Sequence, residues 1–126
     1  MSQYLLAAAI VLVATGALHS WLGERYILVR LFRRSDLPRL FGSDVFTKRT
    51  LRFAWHLTSI AWWGLAAILL LFAMQPQMEP TNWNTVAVIR WTLLASAVLA
   101  LIASRGRHLS WVAFGIVAAC LWLAVP

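Results

Sequence analysis

The stretch FAWHLTSIAWWGLAAILLLFAM, residues 53–74, contains no charged side chain and one titratable group, His56. At ~1.5 Å per residue it reaches ~33 Å as a helix, enough to cross a ~30 Å hydrocarbon core. Three further segments read the same way. Residues 4–22 hold no charge, residues 86–103 are broken only by Arg90, and residues 109–125 are charge-free. In hydrocarbon every backbone polar group must be satisfied within its own segment, so each stretch is expected to close into a helix. The pattern predicts an all-α polytopic membrane protein, a single domain of four transmembrane helices in an up-down bundle.

Composition agrees. Of 126 residues, 62% are hydrophobic and 12% charged, and the mean hydropathy is +0.77. A soluble domain of this size leaves too much surface exposed to hide so much apolar material. A soluble enzyme domain and a disordered tail are therefore excluded. The net charge of +7 would ordinarily suggest nucleic acid, but here the cations sit between apolar runs, so membrane topology is expected and no nucleic-acid partner. The single cysteine, Cys120, lies within an apolar stretch and allows neither an intramolecular disulfide nor a cysteine cluster. The N-terminus lacks the basic region of a secretory signal, and the first apolar run is expected to stay attached as a helix.

The connections set the orientation. Residues 24–52 form a basic connection with Arg25, Arg30, Arg33, Arg34, Arg39, Lys48, Arg49 and Arg52 in or beside it, and Arg105 and Arg107 sit in the last turn. The loop around Gln75–Asn82 holds no Lys or Arg, only Glu79. The positive-inside rule then places the basic side in the cytoplasm and both termini outside, in a multi-pass protein of the bacterial inner membrane facing anionic lipids. Helix 1 is expected to continue past Leu22 as a basic amphipathic segment. Asp36-Leu37-Pro38 suggests a one-turn helix, Ser43 or Asp44 a cap for helix 2, and Thr81 or Asn82 a cap for helix 3. Trp21, Trp83, Trp111 and Trp122 fall near helix ends, as an interfacial aromatic belt requires.

Depth arithmetic singles out the histidines. With inner boundaries near Gly23 and Arg52, His19 and His56 each lie about 6 Å inside the same boundary. His108 opens helix 4 there, and Glu24 leaves helix 1 at nearly the same level. Ionisable groups in membrane segments are costly and point to the bundle interior. Three uses of this layer compete. His19, Glu24, His56 and His108 suit a divalent metal, although no histidine pair has helical i, i+4 spacing. His19 and His56 suit the axial positions of a haem. Alternatively, the imidazoles hydrogen-bond across helices to Ser20, Thr58, Ser59 or backbone. Proton handling and small-ligand binding are further uses of the same groups.

Glu24 is expected to pair with a basic neighbour, Arg52 or Arg105 among them. Gly16-x-x-x-Ser20 is a small-x-x-x-small pattern that admits a close helix neighbour. Trp55, Trp62 and Trp63 crowd helix 2, with Trp55 and Trp62 seven apart on one stripe, and read as bundle packing or lipid contact rather than a cofactor box. Arg90 is an intramembrane cation on the outer side, about 10 Å from Trp83. It either snorkels towards Glu79 and the head groups or contacts an anion or quinone.

His19-Ser-Trp-Leu-Gly-Glu24 and Arg52-Phe-Ala-Trp-His-Leu-Thr-Ser59 resemble the paired blocks of small bacterial four-helix membrane proteins, HSxxGE at the end of the first helix and WHxxS/T at the start of the second. The resemblance covers the first half of the chain and implies an inner-membrane protein, with emphasis on His19, Glu24 and His56. No Gly-rich phosphate loop, nucleophilic triad or paired intramembrane carboxylates occur, so no catalytic residue is expected. The reading is a non-enzymatic accessory or self-associating bundle, within a homo-oligomer or larger membrane complex. The rival is a metal- or haem-binding redox or sensor protein.

Overall fold

A computed structural model describes residues 2–125. Four helices follow one another: α1 (Gln3–Leu31), α2 (Val45–Ala73), α3 (Pro80–Ser104) and α4 (Ser110–Ala124). The first three are long and apolar enough to cross a membrane, and α4 is a shorter apolar helix of 15 residues. The helices outrun the apolar spans. α1 passes Leu22 as expected, and α2 already starts at Val45, inside the basic connection.

Helix termini differ from the sequence expectations in instructive ways. α3 starts at Pro80 behind Glu79, so Thr81 and Asn82 lie inside the helix and cap nothing. Proline lacks an N–H and has its φ fixed, which suits the first helical position. Asp44 occupies the cap position of α2 but makes no capping hydrogen bond. Its carboxylate pairs with Lys48 instead, 2.7 Å away. No one-turn helix forms at Asp36-Leu37-Pro38. Leu40 and Ser43 exchange backbone hydrogen bonds of 3.0 and 3.3 Å around Phe41 and Gly42. Both central residues have positive φ, 54° and 85°, the conformation of a tight two-residue hairpin. α3 stops on left-handed Arg105 and Gly106, with the Gly106 N–H closing onto the Leu101 carbonyl.

α1 is the centre of the assembly. It packs along α2 on one side and along α4 on the other, while α3 leans on α4 and barely meets α2. Leu5, Leu12, Leu69, Val86, Leu93, Val117 and Leu121 form a single buried core drawn from all four helices. These side chains belong to the half of the bundle away from the basic connection. The outward faces carry Ile10, Leu71, Leu99, Ile102 and Leu123, all exposed. An apolar exterior around a small apolar core is what a lipid-facing bundle presents.

Candidate functional site: a polar chain and a cavity at the basic end

Two glycines of α1 let α2 come close. An added Cβ on Gly16 would meet the Trp63 indole nitrogen at 2.5 Å, and one on Gly23 would meet that of Trp55 at 2.0 Å. In the space left by each glycine the indole donates its N–H to a carbonyl of α1, Trp63 to Val13 at 3.1 Å and Trp55 to His19 at 3.0 Å. Here α1 changes pitch: residues Gly23–Leu28 are π-helical, with the Val29 N–H bonded to the Glu24 carbonyl five residues back. A side-chain donor inserted on a helix carbonyl is a recognised cause of such a distortion. The Trp–Gly latches and the π-helical turn escaped the sequence reading. The signal available was the seven-residue spacing of Gly16 and Gly23 against the eight-residue spacing of Trp55 and Trp63.

Beside the latches runs a continuous polar chain. At its basic end Arg52 pairs with Glu24, 3.0 Å from Nη2 to Oε1. Glu24 Oε2 lies 3.4 Å from His56 Nε2. His56 Nδ1 is 2.9 Å from the Ser20 hydroxyl, the two hydroxyls of Ser20 and Ser59 are 2.9 Å apart, and Ser59 Oγ is 3.1 Å from His19 Nδ1. Ser59 is completely buried. Every link crosses between α1 and α2. Thr58 is not a member, because its hydroxyl returns to the Ala54 carbonyl of its own helix.

His19 ends the chain among aromatic rings. It stacks flat on Trp55, with centroids 4.6 Å apart and planes within 1°, and meets Trp62 edge-on at 4.9 Å. Trp62 in turn meets Phe114 of α4. His19, Trp55 and Trp62 line a cavity of about 450 Å³, bounded by Leu18, Leu22 and Tyr26 of α1 and by Arg107, His108 and Ala113 at the start of α4.

The four groups considered as a metal site are divided by this geometry. Glu24 and His56 meet, whereas His19 is separated from His56 by two serine hydroxyls. His108 lines the same cavity as His19 but bonds to Ser110 of its own helix start, its Nδ1 2.8 Å from Oγ. Among the described residues no three His, Cys, Asp or Glu side chains gather to hold a metal ion. A bis-histidine haem does not fit either. Both His56 nitrogens are engaged by the protein, and Ser20 and Ser59, not an open slot, lie between the two rings. Cys120 is half-buried and free.

Arg90 is placed far from this layer. Its guanidinium lies over Trp122, 4.4 Å from the ring centroid, and 5.6 Å from that of Trp91, and its buried Nε has no partner. Among the described residues it forms no ion pair with Glu79. Trp122 takes the place of the expected counter-charge by cation–π attraction.

No protein-family model, curated protein or solved structure matches this chain.

Proposed function

We propose that the chain is a non-enzymatic, four-span protein of the bacterial inner membrane with both termini outside, working as an accessory subunit or a self-associating bundle. Its histidine and glutamate layer is a clasp that locks α1 to α2. The observation that carries this reading is the engagement of the imidazoles: both nitrogens of His56 and Nδ1 of His19 bond to side chains of the facing helix. Metal or haem ligation through both rings would require His56 to give up one of its two bonds.

Charge and length support the topology. Ten of eleven Lys and Arg residues flank one end of the bundle, which the positive-inside rule assigns to the cytoplasm. α1 and α2, each 29 residues, are about 44 Å long and outreach a ~30 Å core by more than 10 Å. The excess lies at the basic end, where Arg30, Arg33 and Arg49 meet anionic head groups. α4, at about 22 Å, crosses with the help of its flanking residues while packed between α1 and α3.

Two measurements test the proposal. The detergent-purified protein is expected to be colourless and to hold no stoichiometric metal. A Soret band or bound metal lost on His19→Ala or His56→Ala would overturn the structural role. Reporters fused at Gln77 and at the C-terminus are expected to read periplasmic, and one at Leu40 cytoplasmic. A cytoplasmic C-terminus would remove α4 as a span.

A further inference from the structure

Arg90 stands without an anion at the height where α4 stops. Twelve residues back from Ser104 of α3 and twelve forward from Ser110 of α4 bring Thr92 level with Trp122. The rings of Trp91 and Trp122 do meet there, edge to face at 5.5 Å. Ala124, the last residue of α4, is therefore level with Arg90, while α3 runs on for ten residues to Pro80, ~15 Å further. We infer that this level is a locally inset outer surface of the membrane, where Arg90, Trp91 and Trp122 bind an anionic phospholipid head group. The inference rests on the proposed span of α4 and adds what the seam between α3 and α4 recognises.

A helix end marks the polarity of its surroundings. The last carbonyls of α4 have no intrahelical donor, hydrocarbon offers none, and Val125 beyond them is already extended. At 15 residues, or ~22 Å, α4 falls about 8 Å short of a ~30 Å core. A span shorter than the bilayer is accommodated by local thinning, which brings phosphates inward to the height of Ala124. Tryptophan concentrates at the membrane–water interface, and Trp91 and Trp122 stand at this height, each 53% exposed.

The groups at this level are donors without acceptors. The Arg90 guanidinium is held by ring faces, 4.4 Å from Trp122 and 5.6 Å from Trp91, which fix its position and leave its charge unneutralised. Among the described residues the indole hydrogen bonds are those of Trp55, Trp63 and Trp111, so the N–H groups of Trp91 and Trp122 are also free. A phosphate answers such a site, because its oxygens only accept and an arginine fork takes two of them at once. A second copy packed seam to seam brings no anion, since Glu24, Asp36, Asp44 and Glu79 all lie outside α3 and α4. Charge also selects among lipids. Choline and ethanolamine head groups carry a cation of their own to the guanidinium, whereas a phosphatidylglycerol head group carries only hydroxyls beside its phosphate.

Photocrosslinking at the site tests the inference, with the full chain in nanodiscs of equal phosphatidylglycerol and phosphatidylcholine. Leu123, 63% exposed beside Trp122, is replaced by p-benzoylphenylalanine, and the lipid adducts are counted by mass spectrometry. Phosphatidylglycerol adducts are expected to exceed phosphatidylcholine adducts at least about threefold, for a charge-assisted contact. The reference is Ile10→p-benzoylphenylalanine on α1, equally lipid-exposed in a stretch without cations. Arg90→Leu should bring the Leu123 ratio down to that reference, with circular dichroism confirming that each variant is folded. A Leu123 ratio equal to the reference in the parent, or one unchanged by Arg90→Leu, would overturn the inference. So would displacement of the lipid adducts by an added polyleucine helix carrying one glutamate but not by its glutamine counterpart, which would assign Arg90 to a partner's carboxylate. Both leaflets of the nanodisc have the same composition. A reversed orientation in the reporter fusions would therefore leave this ratio unchanged, and the two failures are told apart.

Discussion

Replacing Gly23 by alanine adds one methyl group where the Trp55 indole already lies. The new Cβ would stand 2.0 Å from the indole nitrogen and 2.3 and 2.6 Å from two ring carbons, so the ring must retreat by well over 1 Å to reach ordinary contact. It is not free to do so. Its N–H is bonded to the His19 carbonyl and its face is stacked on the His19 ring. Overpacking of this kind costs ~1–3 kcal/mol, the hydrogen bond another ~0.5–1.5, and the ring stack ~0.5–1.5. Against this, alanine gains up to ~1 kcal/mol over glycine in helix propensity. A net loss of ~1–6 kcal/mol is expected. Gly64 and Gly115 provide the control, since a Cβ on either meets nothing within 4 Å. Their alanine variants should be neutral or more stable. All three are compared by circular dichroism along an SDS titration of the detergent-held protein. If Gly23→Ala unfolds at the same SDS fraction as Gly64→Ala, the latch at Gly23 is not a constraint and the account of helix approach fails.

Other parts of the structure yield their own expectations. Ser59→Ala removes the central hydroxyl of the clasp and leaves His19 Nδ1 and Ser20 without their shared partner. A loss of ~0.6–2 kcal/mol is expected in the same titration, and no loss would show that the chain does not hold α1 to α2. Arg90→Leu removes a cation with an unpartnered buried nitrogen, and should be neutral or stabilising because the desolvation cost vanishes with the charge; destabilisation beyond ~1 kcal/mol would show that the stacking on Trp122 outweighs it. Asp36, bonded to Arg34, has its pKa lowered to about 2. A depressed carboxylate pKa stabilises the loop above the ordinary value of 3.8, and the contribution fades as pH falls towards 2. NMR titration of the Asp36 carboxyl should show that midpoint, moving up towards 3.8 in Arg34→Gln; an unmoved midpoint would exclude the ion pair as its cause.

The sequence makes the depth of the site legible and its wiring illegible, for one reason. Axial position is set by charge at helix ends: Glu24-Arg25 and Arg49–Arg52 flank the apolar runs, and sliding either helix by a turn would draw an ion into the apolar layer. His19 and His56 could therefore be placed in one layer from residue counting, and Ser20 and Ser59 named beside Thr58 as partners. Gly16-x-x-x-Ser20 marks one face of α1 for close approach, but the pairing of side chains and the pitch carry no such marker. Which serine meets which histidine depends on α1 approaching α2 closely enough for indoles to reach carbonyls. That approach depends on Gly16 and Gly23 having no side chains. The π-helical turn at Gly23–Leu28 is a product of tertiary contact and leaves no periodic trace in composition. His108 shows the limit from the other side. Its depth was read by the same counting, yet the Ser104–Ser110 turn directs its Nδ1 onto Ser110, so equal depth did not bring it into the chain.

The two halves of the bundle divide the work. Away from the basic connection, four helices share one apolar core, and cohesion there comes from van der Waals packing in which many residues of similar shape would serve. From mid-span to the basic end α1 and α2 are held by directional bonds that admit few substitutes, two indole N–H donors on carbonyls and one serine-bridged pair of imidazoles. Directional contacts fix rotation as well as distance. They hold His19 flat against Trp55 and keep its second nitrogen at the cavity wall, where an apolar interface alone would have left the ring free to turn.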